Sequence, residues 1–411
     1  MIFSIVLVTS AQPSANPRLL KEVKTLYNEG FSVSVVWAPI SPWADQFDQK
    51  LFKEFPSINW LKAGYHYKLE PLGYWYARIR QAIWKIIYMV TGNQFDAPLK
   101  SLVLYSQELA TIASNIKADL YIGHNLGSLF AVVKSATKHN ANSIFDFEDY
   151  HHGEYPEDSD DFVRIKQIEN KFIPLLSSIS SASPAITHAY KNLFPKSSMQ
   201  TIINCFPLSY SFGQLFDLQD QPLKLFWFSQ YLGKKRGLET VIESMSNFSN
   251  NQITLTLLGT ASKEIKLYFQ SLSEKLNLSD KQLIFLDSVS EKEIVQIAAQ
   301  HHIGLASEYA HNANRDLCLT NKIFTYLLAG NAVVLSDTHA QKSFLSENPA
   351  IGSLFEQNNV QQLTSVFKTY MGDSKLLLSH RQNALDLAKN KYNWDIEKQK
   401  FLDNVNYVLA S

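Results

Sequence analysis

Cysteine is almost missing from this chain of 411 residues: Cys205 and Cys318 are the only two, far apart and in no CxxC spacing. That excludes a disulfide-stapled scaffold and a zinc ribbon, and it suits a reducing compartment. An excess of either charge is missing too, since 38 Lys+Arg face 38 Asp+Glu, so nothing points to a nucleic-acid partner. Glycine and proline, at 15 and 14, are too sparse for long flexible linkers, and no repeat or low-complexity tract is present. No GxGxxG follows the first apolar run, which argues against a dinucleotide-dependent oxidoreductase. The opening MIFSIVLVTS is apolar but lacks a basic start, and it leads into AQPSANPR. It reads as a buried first strand rather than a signal peptide. The expected location is the cytoplasm, including the inner face of its membrane.

What is present is a repeated alternation of short β-rich runs with longer helical patterns, the mark of parallel sheets covered by helices. Strands are expected at residues 2–8, 31–37, 119–122 and 143–147, then at 178–182 and 201–204. The rhythm restarts at 223–228, 253–258, 283–286, 302–306 and 332–335. A chain this long exceeds one ordinary core. Residues 206–222 carry two prolines, few charges and no clear period, which sets the expected boundary there. The expectation is an α/β protein with two Rossmann-like domains, 1–205 and 206–390. A closing helix in 391–411 has apolar residues at Trp394, Ile396, Phe401, Val405 and Val408 along one face.

Open parallel sheets bind ligands beyond the carboxyl ends of their strands, so candidate residues are sought there. In NKIFTYLLAG, Thr320 or Asn321 can cap a helix whose free N–H groups suit a phosphate, and Lys322 adds a charge. A plain amphipathic helix with an exposed lysine is the alternative. In SQYLGKKRGLETVI, Lys234 and Arg236 stand just ahead of a helix, where a diphosphate could be gripped; a solvated basic loop is the alternative. Glu308 follows a strand on a loop with Asn312, Asn314 and Arg315, suited to sugar hydroxyls or simply to solvent. In the first half, His124 and Asn125 follow DLYIG. Glu148, Asp149, His151, His152 and Glu154 crowd the end of another strand, where recognition of an acceptor is a better reading than a metal site. Residues 74–90, YWYARIRQAIWKIIYMV, mix aromatics with Arg78, Arg80 and Lys85. Three cations argue against a membrane span, leaving an interfacial helix on an anionic membrane or ordinary core packing.

Taken in order, SANPRLLKEVKTLYNEGFSVSVV, DLYIGHNLGSL, FDFEDYHHGEY, SQYLGKKRGLETVI, LTLLGT and NKIFTYLLAGNAVVLSD resemble the retaining GT-B glycosyltransferases of family 4 over nearly the full chain. The resemblance implies GT-B architecture, with two Rossmann-like domains facing a central cleft and a last helix crossing back to the N-terminal domain. It implies that Lys234 and Arg236 hold the donor diphosphate and that Glu308, the first acidic position of an E-x7-E motif, touches the donor sugar. His124 matches a position that contacts that sugar. Ser229, Gly259, Thr320, Asn321, Lys322 and Thr325 fall in the donor-binding segments, and Asn125, Glu148, Asp149 and His151 on the acceptor side. Thr325 stands where the second glutamate, usually a ribose ligand, is expected. The loop after the first strand lacks glycines that many relatives use near the phosphates, and Arg18 is the residue expected to compensate.

The implied activity is a hexosyltransferase: a sugar passes from a nucleotide diphosphate sugar to a hydroxyl of a glycan or lipid-linked acceptor, with retention. No cofactor and no metal are implied, since fixed cations and helix N-termini would stabilise the departing diphosphate. The setting it implies is polysaccharide or glycolipid assembly. Two rivals remain: a nucleotide-sugar epimerase of the same fold, which would need no acceptor, and a non-catalytic binding or scaffold protein, made thinkable by Thr325.

Overall fold

The computed structural model describes residues 2–219 and 221–411. The chain divides into two compact units, one running up to Ile202 and including Lys398–Ser411, the other Ile203–Glu397.

The first unit is built on seven strands: β1 Ser4–Thr9, β2 Ser32–Trp37, β3 Asn59–Lys62, β4 Leu120–His124, β5 Asn142–Phe147, β6 Ser178–Ser181 and β7 Met199–Thr201. They are all paired parallel in the order β3-β2-β1-β4-β5-β6-β7. The second unit has six: β8 Leu223–Tyr231, β9 Ile253–Thr260, β10 Leu283–Leu286, β11 Ile303–Ala306, β12 Ala332–Ser336 and β13 Gly352–Phe355. Their order is β10-β9-β8-β11-β12-β13, again parallel throughout. The α/β reading of the sequence therefore holds, with two parallel sheets covered by helices.

The central strands read as unbroken apolar, β-branched runs such as SIVLVT and AVVLS because both faces of a parallel sheet are covered. Two edge strands were not expected: β3 and β13 are short, and NWLK and GSLF are only partly buried. Lying at a sheet edge they carry little of that signal. The strand expected at 201–204 lies instead at Met199–Thr201. Each unit has its own core: Val6, Val8, Val36, Tyr121 and Val132 in the first, Leu225, Trp227, Val241, Leu255 and Phe367 in the second.

Each sheet reverses its strand order once, between β1 and β4 and between β8 and β11. Loops leaving neighbouring strand ends diverge at such a switch point and open space for a ligand. The residues of interest cluster at both.

The last helix, Trp394–Ala410, belongs to both units. At its start, Trp394 N–H donates to the Phe206 carbonyl, Asp395 Oδ2 accepts from Leu208 N–H, and Glu397 Oε2 accepts from Ile203 N–H. Its later turns bury Phe401, Val405 and Val408. There Asn404 Oδ1 accepts from Ser178, and the Val408 carbonyl accepts from Asn142.

Candidate active site

The second unit brings together residues from three loops. β8 ends at Tyr231 and the chain turns through Lys234, Lys235 and Arg236 into the helix Leu238–Met245. The turn needs Gly237: its φ is +79°, and a Cβ there would lie 1.9 Å from the Ser307 carbonyl oxygen. That contact presses the basic loop against the segment leaving β11, which carries Glu308. The third piece is the helix Asn321–Ala329, leading into β12.

Glu308, Lys322 and Arg236 form the centre. Lys322 Nζ donates to Glu308 Oε1 at 2.7 Å, and Gln341 Nε2 donates to Oε2 at 3.1 Å. Arg236 Nη1 donates to Ser229 Oγ at 2.6 Å and to the Tyr231 carbonyl at 3.0 Å. The side chains of Arg236 and Lys322 both lie over the Trp227 ring, at 5.2 and 5.1 Å from its centre. Lys234 lies 4.2 Å from the centre of the Tyr268 ring. A cavity of about 640 Å³ opens onto this group, lined by Lys234, Lys235, Arg236, Glu308, Tyr309, His311 and Arg315.

The electrostatics favour an anion. Burial pushes the Lys322 ammonium below its ordinary range; Glu308 pulls it back up, while Arg236 and Arg315 oppose it. Burial likewise pushes Arg236 down, with Glu308 acting against it and Arg315 with it. Burial would raise the Glu308 carboxyl, but Lys322 and Arg236 outweigh that and hold it below the usual carboxylate range. Two cations so penalised beside a single ionised carboxylate are relieved by any group that adds negative charge.

The remaining donor-side candidates stand around this centre. Thr320 caps the helix Asn321–Ala329 in extended geometry; its carbonyl accepts from Ile323 N–H, but its side chain makes no cap bond and Oγ1 is buried without a partner. Asn321 opens that helix. Thr325 is fully buried and its hydroxyl donates back to the Asn321 carbonyl at 2.9 Å. Gly259, near the end of β9, has φ +150°, and a Cβ there would lie 2.1 Å from the Ser229 carbonyl oxygen. Trp227 and Gln341 are additions that sequence reasoning missed. A tryptophan inside a strand reads as core, and Gln341 lies 33 residues beyond its partner.

In the first unit the switch point holds a buried charge cluster. His124 ends β4 and pairs in register with Thr9, which ends β1. Glu22 Oε2 lies 2.9 Å from His124 Nε2, while His124 Nδ1 is 3.5 Å from Glu148 and 3.7 Å from Asp146. Burial alone would lower the imidazole; Glu22, Glu148 and Asp146 outweigh it and lift its pKa to about 10. His124 is fully enclosed, so it orients the end of β4 and the Glu148 loop rather than presenting itself. Asn16 Nδ2 donates to Glu148 Oε1 at 2.6 Å. Asn125, at φ +63°, accepts from Thr9 Oγ1 at 2.8 Å.

Arg18 requires a correction. Sequence reasoning placed it at the donor phosphates, but it is fully buried. Nε and Nη2 donate to the two Asp146 oxygens and Nη1 to the Ile202 carbonyl, each at 2.6 Å. A guanidinium spent in this way anchors the strand ends and offers no face to a phosphate. The spacing of Arg18 and Glu22 by four on one helix was the available signal for this cluster. Ligand atoms of Glu22, His124 and Asp146 lie within 4.8 Å of one another, a set that could accept a metal ion, but the Arg18 guanidinium already supplies positive charge to Asp146. Asp149 is half-buried in the loop after β5. His151 sits further along, 3.4 Å from Glu154, and its neighbour His152 contacts Glu169 at 2.5 Å. The structure thus joins Glu148 to His124 and sets His151 apart from them.

No protein-family model matches the chain, and no curated protein matches it in sequence. Solved structures match over almost its whole length. HepE of Anabaena, in complex with UDP, superposes with a TM-score of 0.70 at 15% identity, covering 99% of this chain and 100% of that one. HepE has also been solved with UDP-glucose, with a TM-score of 0.69 at 15% identity, covering 98% and 100%. Sucrose-phosphate synthase from Thermosynechococcus elongatus gives 0.72 at 12% identity, covering 99% of each chain. A glycosyltransferase from Rickettsia africae gives 0.71 at 12% identity, also covering 99% of each. With its two parallel sheets matched end to end, this chain has the fold of the GT-B glycosyltransferases.

Proposed function

We propose that the chain is a glycosyltransferase moving a hexose-type group from a nucleotide diphosphate sugar to an acceptor hydroxyl. The observation that carries this is the buried Lys322–Glu308 pair with the half-buried Arg236 beside it, both cations lying over the Trp227 ring next to a cavity at a sheet's switch point. Fold neighbours crystallised with UDP and UDP-glucose support a nucleotide-sugar donor. The reading extends to family 4 chemistry, with retention of anomeric configuration and no metal, and to a glycan or lipid-linked acceptor of polysaccharide assembly.

When the glycosidic bond to the donor breaks, negative charge grows on the diphosphate. Arg236, Lys234 and the N–H groups at the start of the helix Asn321–Ala329, next to the unpartnered Thr320 hydroxyl, would meet that charge without moving. Glu308 holds Lys322 and Gln341, and its remaining lone pairs can accept from sugar hydroxyls. Departing phosphate oxygen can take the proton of the acceptor hydroxyl, so no protein base is needed. Asn125, Glu148 and Asp149 are assigned to the acceptor side, with His124 and Arg18 fixing their strand ends.

The test is a thermal-shift screen against UDP, GDP, ADP, CMP and NAD, repeated with Lys234→Ala/Arg236→Ala. Binding to the folded state must raise Tm by mass action. A rise with one nucleoside diphosphate, lost in the double variant, is the expected result; no rise at millimolar concentration, or a rise with NAD only, overturns the reading. Incubation of the matching nucleotide sugar without acceptor then separates transfer from epimerisation, because an epimerase would alter the sugar unaided.

A further inference from the structure

The helix Pro71–Thr91 in the first unit is built inside out. Its inward face packs Ala77 and Gln81, with Arg80 Nη2 bonded to Glu108 at 2.7 Å and Gln81 to the Leu102 carbonyl at 2.9 Å. Its outward face carries Leu72, Trp75, Ile79, Ile83, Ile86 and Val90, whose 3-4-4-3-4 spacing makes one stripe. Leu72 is 88% exposed, Val90 80% and Trp75 62%. The stripe runs about 27 Å at 1.5 Å per residue. It is far longer than the scattered apolar side chains of an ordinary surface.

Charge decides what covers it. The helix contains no Asp or Glu, and the charged side chains exposed beside the stripe are Arg78 and Lys85, seven residues apart and so on one edge. Lys100 leans over the Trp84 ring at 4.3 Å; burial pushes its ammonium below the ordinary range, Asp96 pulls it back up, and Lys134 and Lys171 add to the lowering. Of the carboxylates nearby, Glu70 is engaged by Lys62, Glu108 by Arg80 and Asp96 by Lys171, while Asp160 faces Tyr88, a side chain outside the stripe. A second copy docked by two-fold symmetry would set Arg78 of one helix near Lys85 of the other with no acid on either helix to separate them. Like charges in a closed apolar contact are unfavourable. An acidic bilayer accepts every feature, since it takes the apolar stripe into the acyl boundary, Trp75 and Tyr76 at headgroup depth, and the cations against lipid phosphates. Among the described residues no helix is long and apolar enough to cross a membrane, so this helix would lie in the interface plane.

We propose that the helix Pro71–Thr91 docks the protein onto an anionic lipid surface through its outward apolar stripe and its cationic edge. The inference stands independently of the donor chemistry, because it uses no residue of the candidate active site.

Vesicle co-sedimentation tests it, with the full chain and vesicles of phosphatidylcholine alone or mixed with phosphatidylglycerol. The chain should sediment with the anionic vesicles and weakly with the neutral ones. Ile79→Glu/Ile83→Glu should bind at least about tenfold more weakly, since two apolar contacts are lost and two like charges introduced. Arg78→Gln/Lys85→Gln should bind the anionic vesicles several-fold more weakly and lose much of the salt sensitivity. Circular dichroism and the nucleotide-induced thermal shift should be unchanged in both variants, which excludes misfolding. No sedimentation with either vesicle overturns the proposal, as does equal sedimentation with both. So does a dimer in vesicle-free solution that Ile79→Glu/Ile83→Glu dissociates while vesicles bind neither form, a result that would give the stripe to a second copy.

Discussion

Lys322 and Glu308 are buried together, and neither can be removed without stranding the other. Breaking a buried pair by deleting one partner typically costs about 3–5 kcal/mol. Arg236 stays beside Glu308 as partial cover, so Lys322→Met should fall at the lower end, near 3 kcal/mol by that scale. Lys322→Met/Glu308→Leu should recover much of the loss in urea unfolding while nucleotide binding remains absent. If the pair served packing alone, nucleotide binding would return with stability. Thr325 gives a second residue-scale prediction. Its hydroxyl bonds back to the Asn321 carbonyl four residues earlier, a local bond that Val can lose at a cost of about 1 kcal/mol. Thr325→Val should change nucleoside diphosphate affinity less than about twofold, a change well under 1 kcal/mol. A larger drop by calorimetry would make Thr325 a ribose ligand after all.

At the scale of elements, Gly237 holds the basic loop where it is. Gly237→Ala adds a Cβ at positive φ, 1.9 Å from a backbone oxygen of the neighbouring loop, so backbone rather than a flexible side chain must move. The variant should lose several kilocalories per mole of stability and most of its nucleotide affinity, because the displaced loop carries Lys234, Lys235 and Arg236. Measuring both quantities on one preparation checks it. The elements also show what could be read from sequence. Central strands such as β1, β8 and β12 announce themselves because both their faces are covered. Edge strands β3 and β13 do not, since NWLK and GSLF pair on one side and are only partly buried. The basic loop, Glu308 and the helix at Asn321 were legible because strand ends are where such sheets place ligands. Arg18 misled because an arginine at a helix start looks alike in sequence whether it faces a phosphate or, as here, a buried aspartate 128 residues away. Gln341 was invisible for the same reason, since its partner is 33 residues away, and Trp227 because a tryptophan inside a strand reads as core.

At the scale of the whole molecule, the two units should respond to pH in opposite directions. His301 and His302 in the second unit are buried, and burial lowers both to about 4, with Lys224 and Arg381 contributing. A histidine lowered from its unfolded value near 6.5 favours folding while neutral. Its contribution is complete above about pH 6.5 and is lost as the pH falls toward 4, by roughly 3 kcal/mol per histidine once both states are charged. His124 in the first unit is lifted to about 10 by its carboxylates. Its contribution has the other sign: complete below about pH 6.5, it fades as the pH rises toward 10. Limited proteolysis at pH 5, 7 and 9.5 with a protease active throughout should therefore open Ile203–Glu397 first on the acid side and the first unit first on the alkaline side. His124→Gln should flatten the alkaline response and leave the acid one alone, while His301→Gln should blunt only the acid one. Simultaneous opening of both units at every pH would mean that these buried histidines do not set the stability of the units that contain them.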